Sequence, residues 1–374
     1  MRIFIPLETH PGETRAALVP ATVARLVKLG AQVEVESHLG ASIFQSDDLY
    51  RDSGATLSTN RRASLGAADM VLRLRMPPAD EVPSLKPGSV HISFLDPFND
   101  LDLVQKLAAA GVSAISMQMI PRSTVAQKMD ALSSQANLAG YISVIIAAER
   151  LGKIFPMMTT PAGTIRPAKV FVIGVGVAGL QAIATAKRLG AQIEAFDTRP
   201  VVEEQVRSLG ARFVKADLGE TGQTAQGYAK ELTAEQLAKQ RDVMAQHCAP
   251  SDVVITAAQV FGRKAPRILT TEMVQSMAPG SVVIDLSVET GGNVECSRAD
   301  EEVEINGVKV VGISNIPRRV ARAASEMYSS NLGNLIEHFW DKESSTFKLN
   351  LEHDLIKGCL LTHAGQIVHP QFKQ

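Results

Sequence analysis

One stretch near the middle of the chain constrains its fold more than any other. Residues 170–180 read VFVIGVGVAGL, four apolar residues followed by a G-x-G-x-x-G turn. The apolar run predicts a buried strand, and residues 178–189 predict a helix directly after the turn. In such a strand–turn–helix unit the first glycine permits the tight turn. The second lets a pyrophosphate approach the backbone, and the third lets helix and strand pack closely.

A second predicted strand follows the helix and ends in an acid. Residues 192–196 read QIEAF and lead into Asp197. An acid at this place accepts hydrogen bonds from the hydroxyls of an adenosine ribose, while the helix N-terminus attracts the phosphates. The alternative is a glycine-rich turn in an unrelated α/β protein. Strand, turn, helix, strand and acid all follow in order, which favours a dinucleotide site.

The predicted dinucleotide site draws on three segments of the chain. Its residues are Gly174, Gly176, Val177, Ala178, Gly179, Asp197, Thr198, Arg199 and Ala257. Asp197 would repel a 2′-phosphate, which favours NAD over NADP. Arg199 argues the other way, because an arginine nearby can accommodate that phosphate. The acid weighs more in this interpretation, since it occupies the end of the strand itself.

Composition narrows the class of protein further. The chain has 374 residues, 45% hydrophobic and 21% charged, which suits two α/β domains of a soluble enzyme. A net charge of −1 gives no reason to expect nucleic-acid binding. The three cysteines, Cys248, Cys296 and Cys359, are isolated, so neither a disulfide framework nor a zinc site is expected. No spacing suits any other metal ligand set.

Membrane insertion is not expected from the sequence. The N-terminal residues 1–6 predict a strand and not a signal peptide. The longest apolar run, residues 141–148, is too short to cross a bilayer. Any membrane role is therefore expected to come through a partner.

Alternating strands and helices predict a mostly parallel sheet on each side of the glycine-rich turn. Before it, strands are predicted at 3–6, 31–36, 69–74, 90–94 and 113–116, with helices at 20–29 and 101–110. After it, strands are predicted at 211–214, 252–256 and 281–286, a hairpin at 302–311, a helix at 201–209 and a polar helix ending near 247. Residues 161–167 are predicted to form a loop.

Two long helices, 126–151 and 320–339, are predicted to connect the two sheets. We therefore expect a discontinuous N-terminal domain of residues 1–132 plus 323–374, and a dinucleotide-binding domain of residues 133–322. Residues 6–9, PLET, stand where the first domain would need a glycine-rich turn, so only the second domain should hold a dinucleotide. In the first domain, Arg15 is expected on the surface and His91 in the core.

Polar residues before and within the first connecting helix form a second candidate site. Arg122, Gln127, Asp130 and Ser133 lie at the predicted domain junction, where two-domain dehydrogenases have their clefts. The alternative is that Asp130 and Ser133 cap the helix and Arg122 is solvated. Residues 217–228 are rich in Gly, Thr and Gln without apolar periodicity, which predicts an exposed, mobile loop.

The chain closely resembles the NAD(H)-binding component of proton-translocating transhydrogenases, almost from end to end. The resemblance rests on these strings: IFIPLE with Pro11-Gly12-Glu13 and Arg15; residues 121–141; GVGVAGLQAIATAKRLGA at 174–191; GYAKE at 227–231; PGSVVIDL at 279–286; and Glu289 with Gly291-Gly292-Asn293. It implies two Rossmann-like domains joined by long helices, and a homodimer. It gives Arg122, Gln127, Asp130 and Ser133 the nicotinamide end of the site. It also implies that the loop with Gly227 and Tyr228 closes over the nucleotide.

Alanine dehydrogenases share this fold and are the main alternative. Their chemistry needs proton donors and acceptors near the substrate amine. Where that family has a histidine, a catalytic aspartate and a lysine, this chain has Asp96, Glu289 and Arg73 or Arg75. Arginine does not readily give up a proton. A second alternative is a subunit that senses or scaffolds NAD without catalysis.

The resemblance implies a division of labour between chains. NAD(H) would bind here and NADP(H) on a β component, while membrane-spanning subunits translocate protons. This chain would then lie on the cytoplasmic face of the inner membrane, held there by its partners. Hydride transfer between two nicotinamides needs close, aligned rings and excluded water, but no proton donor. The lack of a recognisable acid–base or nucleophile motif agrees with this chemistry.

Overall fold

The computed structural model describes residues 1–219, 221–222 and 232–373. The chain divides into two compact units, which we describe separately. Unit 1 comprises Met1–Gln135 and Val320–Gln374, and unit 2 comprises Ala136–Arg319. The boundaries predicted from the sequence, at 132/133 and 322/323, lie three residues away from these. That these two units are the domains of the protein stays a prediction.

Unit 1 begins with strands and helices that alternate. The strands are β1 (Arg2–Ile5), β2 (Gln32–Glu36), β3 (Thr56–Ser58), β4 (Met70–Leu72), β5 (Val90–Ser93) and β6 (Ser113–Ser116). The helices are α1 (Pro20–Lys28), α2 (Asp47–Asp52), α3 (Arg61–Ala67), α4 (Leu101–Ala109) and α5 (Ala131–Arg150). The boundary between the units falls inside α5.

Unit 2 follows the same alternation. Its strands are β7 (Met158–Thr160), β8 (Gly163–Ile165), β9 (Lys169–Ile173), β10 (Gln192–Phe196), β11 (Arg212–Phe213), β12 (Val253–Thr256), β13 (Val282–Asp285), β14 (Glu301–Ile305) and β15 (Val308–Gly312). Its helices are α6 (Val177–Arg188), α7 (Glu203–Ser208), α8 (Ala234–Cys248) and α9 (Thr271–Gln275). The chain then completes unit 1 with α10 (Ala321–His338), β16 (Trp340–Asp341), β17 (Thr346–Phe347), α11 (Asp354–Cys359), β18 (Leu360–His363) and β19 (Gln366–Ile367).

Each unit is built on one large sheet, and the first strand of that sheet along the chain lies in its interior. The strand order is β19-β18-β6-β5-β4-β1-β2-β3 in unit 1 and β11-β10-β9-β12-β13-β15-β14 in unit 2. Pairing is parallel from β3 to β6 and from β11 to β15, and the described antiparallel strands of these sheets lie at one edge of each. The central strands are apolar and buried on both faces, as parallel sheets covered by helices require. This confirms the predicted α/β class with parallel sheets.

The C-terminal segment and the hairpin of unit 2 agree with the sequence-based prediction. Strand β18 pairs with β6, so the C-terminal segment completes the sheet of unit 1. Strands β14 and β15 form the predicted hairpin, with positive φ at both Asn306 (51°) and Gly307 (76°). Two successive positive φ values are what a type I′ turn requires.

Several predicted elements differ from the structure. Residues 157–165 contain the hairpin β7–β8 where a loop was expected at 161–167. The first connecting helix begins at Ala131 and not at 126, after a short 3₁₀ turn. The elements α2, β3 and α3 were not predicted, because each has seven residues or fewer and too little periodicity. Their signals were the N-cap residues Ser46 and Asn60, whose side chains accept backbone N–H groups of α2 and α3.

Helix α5 is shorter than the helix predicted at 126–151, but it is apolar over more of its length than the predicted run at 141–148 indicated. Its 20 residues have a mean hydropathy of 1.3 over the most apolar window, enough in length and composition to cross a bilayer. A core helix of a soluble protein passes the same test, and 44% of this window is buried inside the protein. One such helix is weak evidence for a membrane span, and the absence of direct insertion stays a prediction.

Candidate dinucleotide site

The strand register of unit 2 brings the predicted nucleotide residues to one edge. Ile173, the last residue of β9, pairs with Phe196 of β10 on one side and Thr256 of β12 on the other. Gly174, Asp197 and Ala257 are therefore the next residues on three adjacent strands. This edge lies where the strand order reverses, which is the usual ligand position in open α/β sheets.

The glycine-rich turn packs tightly on one side and leaves space on the other. Gly174 has φ +91°, and a Cβ there would lie 2.7 Å from the Ala258 nitrogen. A Cβ at Gly179 would lie 2.0 Å from the Gly174 oxygen, so the helix could not approach the turn with any side chain at this position. A Cβ at Gly176, in contrast, would meet no described atom within 4 Å. Gly176 thus borders open space in which a ligand could contact the protein backbone.

The first turn of α6 points its backbone N–H groups at this space. The helix begins at Val177 with Gly176 as N-cap, and among the described residues no side chain caps it. The N–H groups at the start of a helix have no partner within the helix, and the helix dipole adds positive potential there. Val177, Ala178 and Gly179 therefore form a cradle suited to a phosphate or pyrophosphate.

The acid beside the turn is held by its neighbours. The Asp197 carboxylate accepts the Val175 N–H at 2.7 Å and the Arg199 backbone N–H at 2.9 Å. The Arg199 guanidinium donates to both carboxylate oxygens, from Nε at 2.8 Å and from Nη2 at 2.7 Å. Thr198 lies between these two residues, and its carbonyl accepts the Thr221 hydroxyl at 2.7 Å. Arg199 thus covers the acid that was predicted to bind the ribose.

A buried pair of residues that holds the segment beside the glycine-rich turn, Asp285 and Asn293, was missed by the sequence interpretation. Asp285, at the end of β13, accepts the backbone N–H groups of Ser287 (2.9 Å), Asn293 (3.2 Å) and Val294 (3.2 Å). The Asn293 amide accepts from the Ala258 N–H at 3.0 Å and donates to the Ala258 carbonyl at 2.8 Å. The pair therefore fixes the segment after Ala257 against the glycine-rich turn. An acid at the end of an apolar strand, as at Asp197, was the available signal.

The second candidate set lies in unit 1 around the start of α5. Asp130 caps this helix: its carboxylate accepts the Ser133 N–H at 2.9 Å and the Ser133 hydroxyl at 2.6 Å. Arg122 and Gln127 are exposed, Gln127 in the preceding 3₁₀ turn. Capping explains the positions of Asp130 and Ser133. It leaves a ligand role for all four residues as a hypothesis.

Arg15 is buried, and the expectation of a surface arginine was wrong. Its guanidinium donates to both carboxylate oxygens of Glu13, at 2.8 and 2.7 Å, and to the Gln135 side chain at 2.8 Å. Arg75 also donates to the Glu13 carboxylate, from Nε at 3.1 Å. The apolar residues 16–18 that follow are buried and carry this segment into the core. His91 is buried as expected, and burial together with nearby Arg73 lowers its pKa to about 3.

The predicted mobile loop and its two candidate ligand residues cannot be placed. Gly227 and Tyr228 lie outside the described residues, as does most of the predicted loop at 217–228.

Within the region of the chain that the structure describes, no group of three or more His, Cys, Asp or Glu side chains could hold a metal ion.

Comparison with known proteins extends over the whole chain. The family model "Alanine dehydrogenase/PNT, N-terminal domain" matches residues 4–139, and "Alanine dehydrogenase/PNT, C-terminal domain" matches residues 143–370. The chain is 44% identical to an NAD(P) transhydrogenase subunit alpha chain of Rhodospirillum rubrum, over 99% of this chain and 98% of that one. A solved transhydrogenase structure from Sinorhizobium meliloti superposes with a TM-score of 0.88 and 43% identity, over 98% of this chain and 100% of that one. Alanine dehydrogenase 2 of Staphylococcus aureus is 30% identical over 87% of this chain and 83% of its own length.

The fold and the glycine-rich turn define a Rossmann-like α/β protein with two units. The matches allow a narrower statement: the chain belongs to the alanine dehydrogenase/PNT family. Its similar relatives include NAD(P) transhydrogenase α subunits, at higher identity than the alanine dehydrogenase. The resemblance found in the sequence is thereby confirmed.

Proposed function

We propose that this chain is the NAD(H)-binding subunit of a proton-translocating transhydrogenase. It binds NADH in unit 2 and presents the nicotinamide for hydride transfer to NADP⁺ on a partner β component. Membrane-spanning partners couple this transfer to proton translocation. The observation that carries the proposal is the helix N-terminus at Gly176–Gly179, which no described side chain caps, in a chain that matches a transhydrogenase α subunit over 99% of its length.

The residues of unit 2 fit a dinucleotide. The backbone N–H groups of α6 would hold the pyrophosphate, and Gly176 leaves room for it. Asp197 would hold the adenosine ribose, and Ala257 lies across the turn from it. When bound, NADH supplies the hydride. The chain's own role is to bind, orient and exclude water.

The residues of unit 1 would act at the nicotinamide. Arg122, Gln127, Asp130 and Ser133 would position and shield the ring without exchanging a proton. The cap between Asp130 and Ser133 supports this, since it fixes both side chains. A preorganised set of this kind suits a reaction that depends on alignment. The loop with Gly227 and Tyr228 would close over the nucleotide.

The paired arginines of unit 1 argue against alanine dehydrogenation. Arg73 forms an ion pair with Glu81, and Arg75 with Glu13, where the alternative activity would need a proton donor. Asp96 stands in place of a histidine, and its carboxylate accepts from the Asn99 amide at 3.0 and 2.9 Å. An assay with alanine, or with pyruvate, ammonia and NADH, should therefore give no turnover.

We also propose the partners and place of the chain. It would lie on the cytoplasmic face of the inner membrane through its partner subunits. It would form a homodimer, which exposed apolar side chains in and just before the β7–β8 hairpin support: Met157 is 66% exposed, Met158 47% and Ile165 48%. Light scattering on the purified chain should give twice the mass of one chain, and Met158→Asp should shift it toward the monomer.

One reconstitution tests the proposed activity. The purified chain should bind NADH but form no NADPH from NADH and NADP⁺. Adding a purified NADP(H)-binding β component should start the reaction. NADPH formation by this chain alone, or no NADH binding at all, would contradict the proposal.

A further inference from the structure

The carboxylate of Asp197 is fully occupied by groups of the protein itself. Two donors are backbone N–H groups, from Val175 and Arg199, and two are the Nε and Nη2 groups of the Arg199 guanidinium. A carboxylate offers about four lone-pair positions for hydrogen bonds. These four donors therefore leave no acceptor position for the two hydroxyls of a ribose.

Only two of these four donors can leave without remodelling the turn. The backbone N–H groups of Val175 and Arg199 are fixed by the chain around the glycine-rich turn. The guanidinium is held by side-chain torsions and by contacts such as that from Nη2 to the Val175 carbonyl, at 3.0 Å. The side chain of Arg199 is 14% exposed and that of Asp197 is 6% exposed, so the ion pair is largely buried and the guanidinium is its more exposed partner.

We infer that Arg199 blocks the ribose acceptor Asp197 and determines nucleotide selectivity. We call the Arg199–Asp197 ion pair the latch. The Arg199 guanidinium occupies the Asp197 oxygens, and an adenosine ribose binds there by displacing it. This inference rests on the proposed function of unit 2 as an NAD(H) site. It adds that a residue of the site itself competes with the nucleotide.

The latch has opposite consequences for the two nicotinamide nucleotides. For NADH, breaking the Arg199–Asp197 pair is a cost that precedes the two ribose hydrogen bonds. For NADPH, the guanidinium is a counter-charge that screens Asp197 from the 2′-phosphate. Removing the guanidinium therefore favours NADH and disfavours NADPH. A purely structural role for Arg199 would weaken the binding of both.

The test is a titration of the full chain with NADH and with NADPH. In Arg199→Ala the Kd for NADH should fall about threefold, because the ion pair no longer has to be broken before the ribose hydroxyls bind. The Kd for NADPH should rise by a similar factor, so that the ratio of the two changes about tenfold. Unchanged or weaker NADH binding by the folded variant would overturn the inference.

Matched variants separate the latch from other effects. Arg212→Ala removes one positive charge from an exposed arginine of the same unit, on β11, and should leave both Kd values unchanged. In an Asp197→Asn background, Arg199→Ala should no longer tighten NADH binding, because the ion pair is already lost. A gain in that background equal to the gain in wild type would contradict the latch.

The outcomes also distinguish this inference from the proposed function. If wild-type protein binds no NADH, the proposed function itself fails. If wild type binds NADH and Arg199→Ala binds it no better, only the latch fails. Should Arg199→Ala not fold, Arg199→Lys decides by the same titration, with a gain of about twofold, since an ammonium cannot form the two-pronged contact.

Discussion

The two units share a strand order but differ at the place where it reverses. In unit 1 the residues after β1 fill this place with side chains: the Glu8 carboxylate accepts the N–H groups of Leu74 (2.6 Å) and Arg75 (3.3 Å), just beyond β4. In unit 2 two of the first three residues after β9 are glycines and add no side chain there. A Cβ at Gly174 would collide with the backbone at 257–258, and Gly176 borders open space. Topology alone provides the position of a site. The residues directly after the first strand decide whether a ligand has room there.

The contrast extends to electrostatics. The Glu8 carboxyl is buried, and its Oε2 has no hydrogen-bond partner among the described residues. Burial raises its pKa to about 7, against the lowering effect of Arg73 and of the two backbone N–H groups. Tyr328 closes the same region by donating its hydroxyl to the Arg73 carbonyl at 2.8 Å. Unit 1 thus holds a buried acid where unit 2 offers helix N–H groups to an anion.

The largest expected effect comes from adding a side chain where unit 2 allows none. Gly179→Ala places a Cβ 2.0 Å from the Gly174 oxygen and must force α6 away from the turn. The free energy of unfolding should fall by about 3 kcal/mol or more. Gly152→Ala is the control, since a Cβ there meets no described atom within 4 Å. Equal stability of the two variants in denaturant titrations would show that the close approach of helix and turn is not required.

The next effect concerns the acid of unit 1 and depends on pH. The folded protein binds a proton at Glu8 more tightly than the unfolded chain, with a pKa of about 7 against 4.5. The contribution of Glu8 to the free energy of unfolding should therefore be fully present below about pH 4.5. This contribution, up to about 3 kcal/mol, should be lost as the pH rises through about 7.

Glu8→Gln keeps the shape of the protonated acid and should remove this slope from the free energy of unfolding between pH 4.5 and 7. Glu352→Gln changes an exposed glutamate of the same unit and should leave the slope intact. A slope that persists in Glu8→Gln would assign the pH dependence to another group.

A third test asks whether the units contribute different steps. If unit 1 aligns the nicotinamide, Arg122→Ala should slow hydride transfer in the reconstituted system about 100-fold, since small misplacements of reacting groups carry such penalties. The Kd for NADH should change less than about threefold, because unit 2 supplies most of the binding. Arg62→Ala, an exposed arginine of unit 1, is the control. Equal losses in rate and affinity would indicate a structural role for the segment around Arg122.

The smallest expected effect concerns Gly176, on the side of the turn that would face a ligand. Gly176→Ala meets no described protein atom, so its free energy of unfolding should match wild type within about 0.5 kcal/mol. A methyl group there would still obstruct a pyrophosphate, and the Kd for NADH should rise about tenfold. An unchanged Kd would mean that the nucleotide does not approach this backbone.

The sequence predicted what depends on local pattern. Apolar strands, the glycine-rich turn and the Asn306-Gly307 hairpin were all predicted near their observed positions, because each has a strong signal over a few residues. The position of Arg15 was mispredicted, because its burial follows from a fold that closes over Glu13 and Gln135. The Asp285–Asn293 pair was overlooked for a similar reason, since its partners are separated in sequence and meet only after the strands align.

The candidate site residues were also only partly predictable from the sequence. Asp197 and Arg199 were both identified from sequence, but only as opposing arguments about NAD and NADP. That they bind each other is a matter of side-chain torsions, which composition and spacing do not encode. Likewise, spacing could not tell whether Asp130 and Ser133 cap a helix or face a ligand. The structure shows that Asp130 accepts the Ser133 N–H and so caps α5, and the ligand role stays a prediction.

One labelling experiment tests the central claim most directly. NADH carrying deuterium at both C4 positions is mixed with this chain, a purified NADP(H)-binding β component and NADP⁺, and the NADPH formed is analysed by mass spectrometry. Direct hydride transfer between the two chains predicts deuterium in the NADPH and none in the water. NADPH without deuterium, or labelled NADPH formed by this chain alone, would contradict the account.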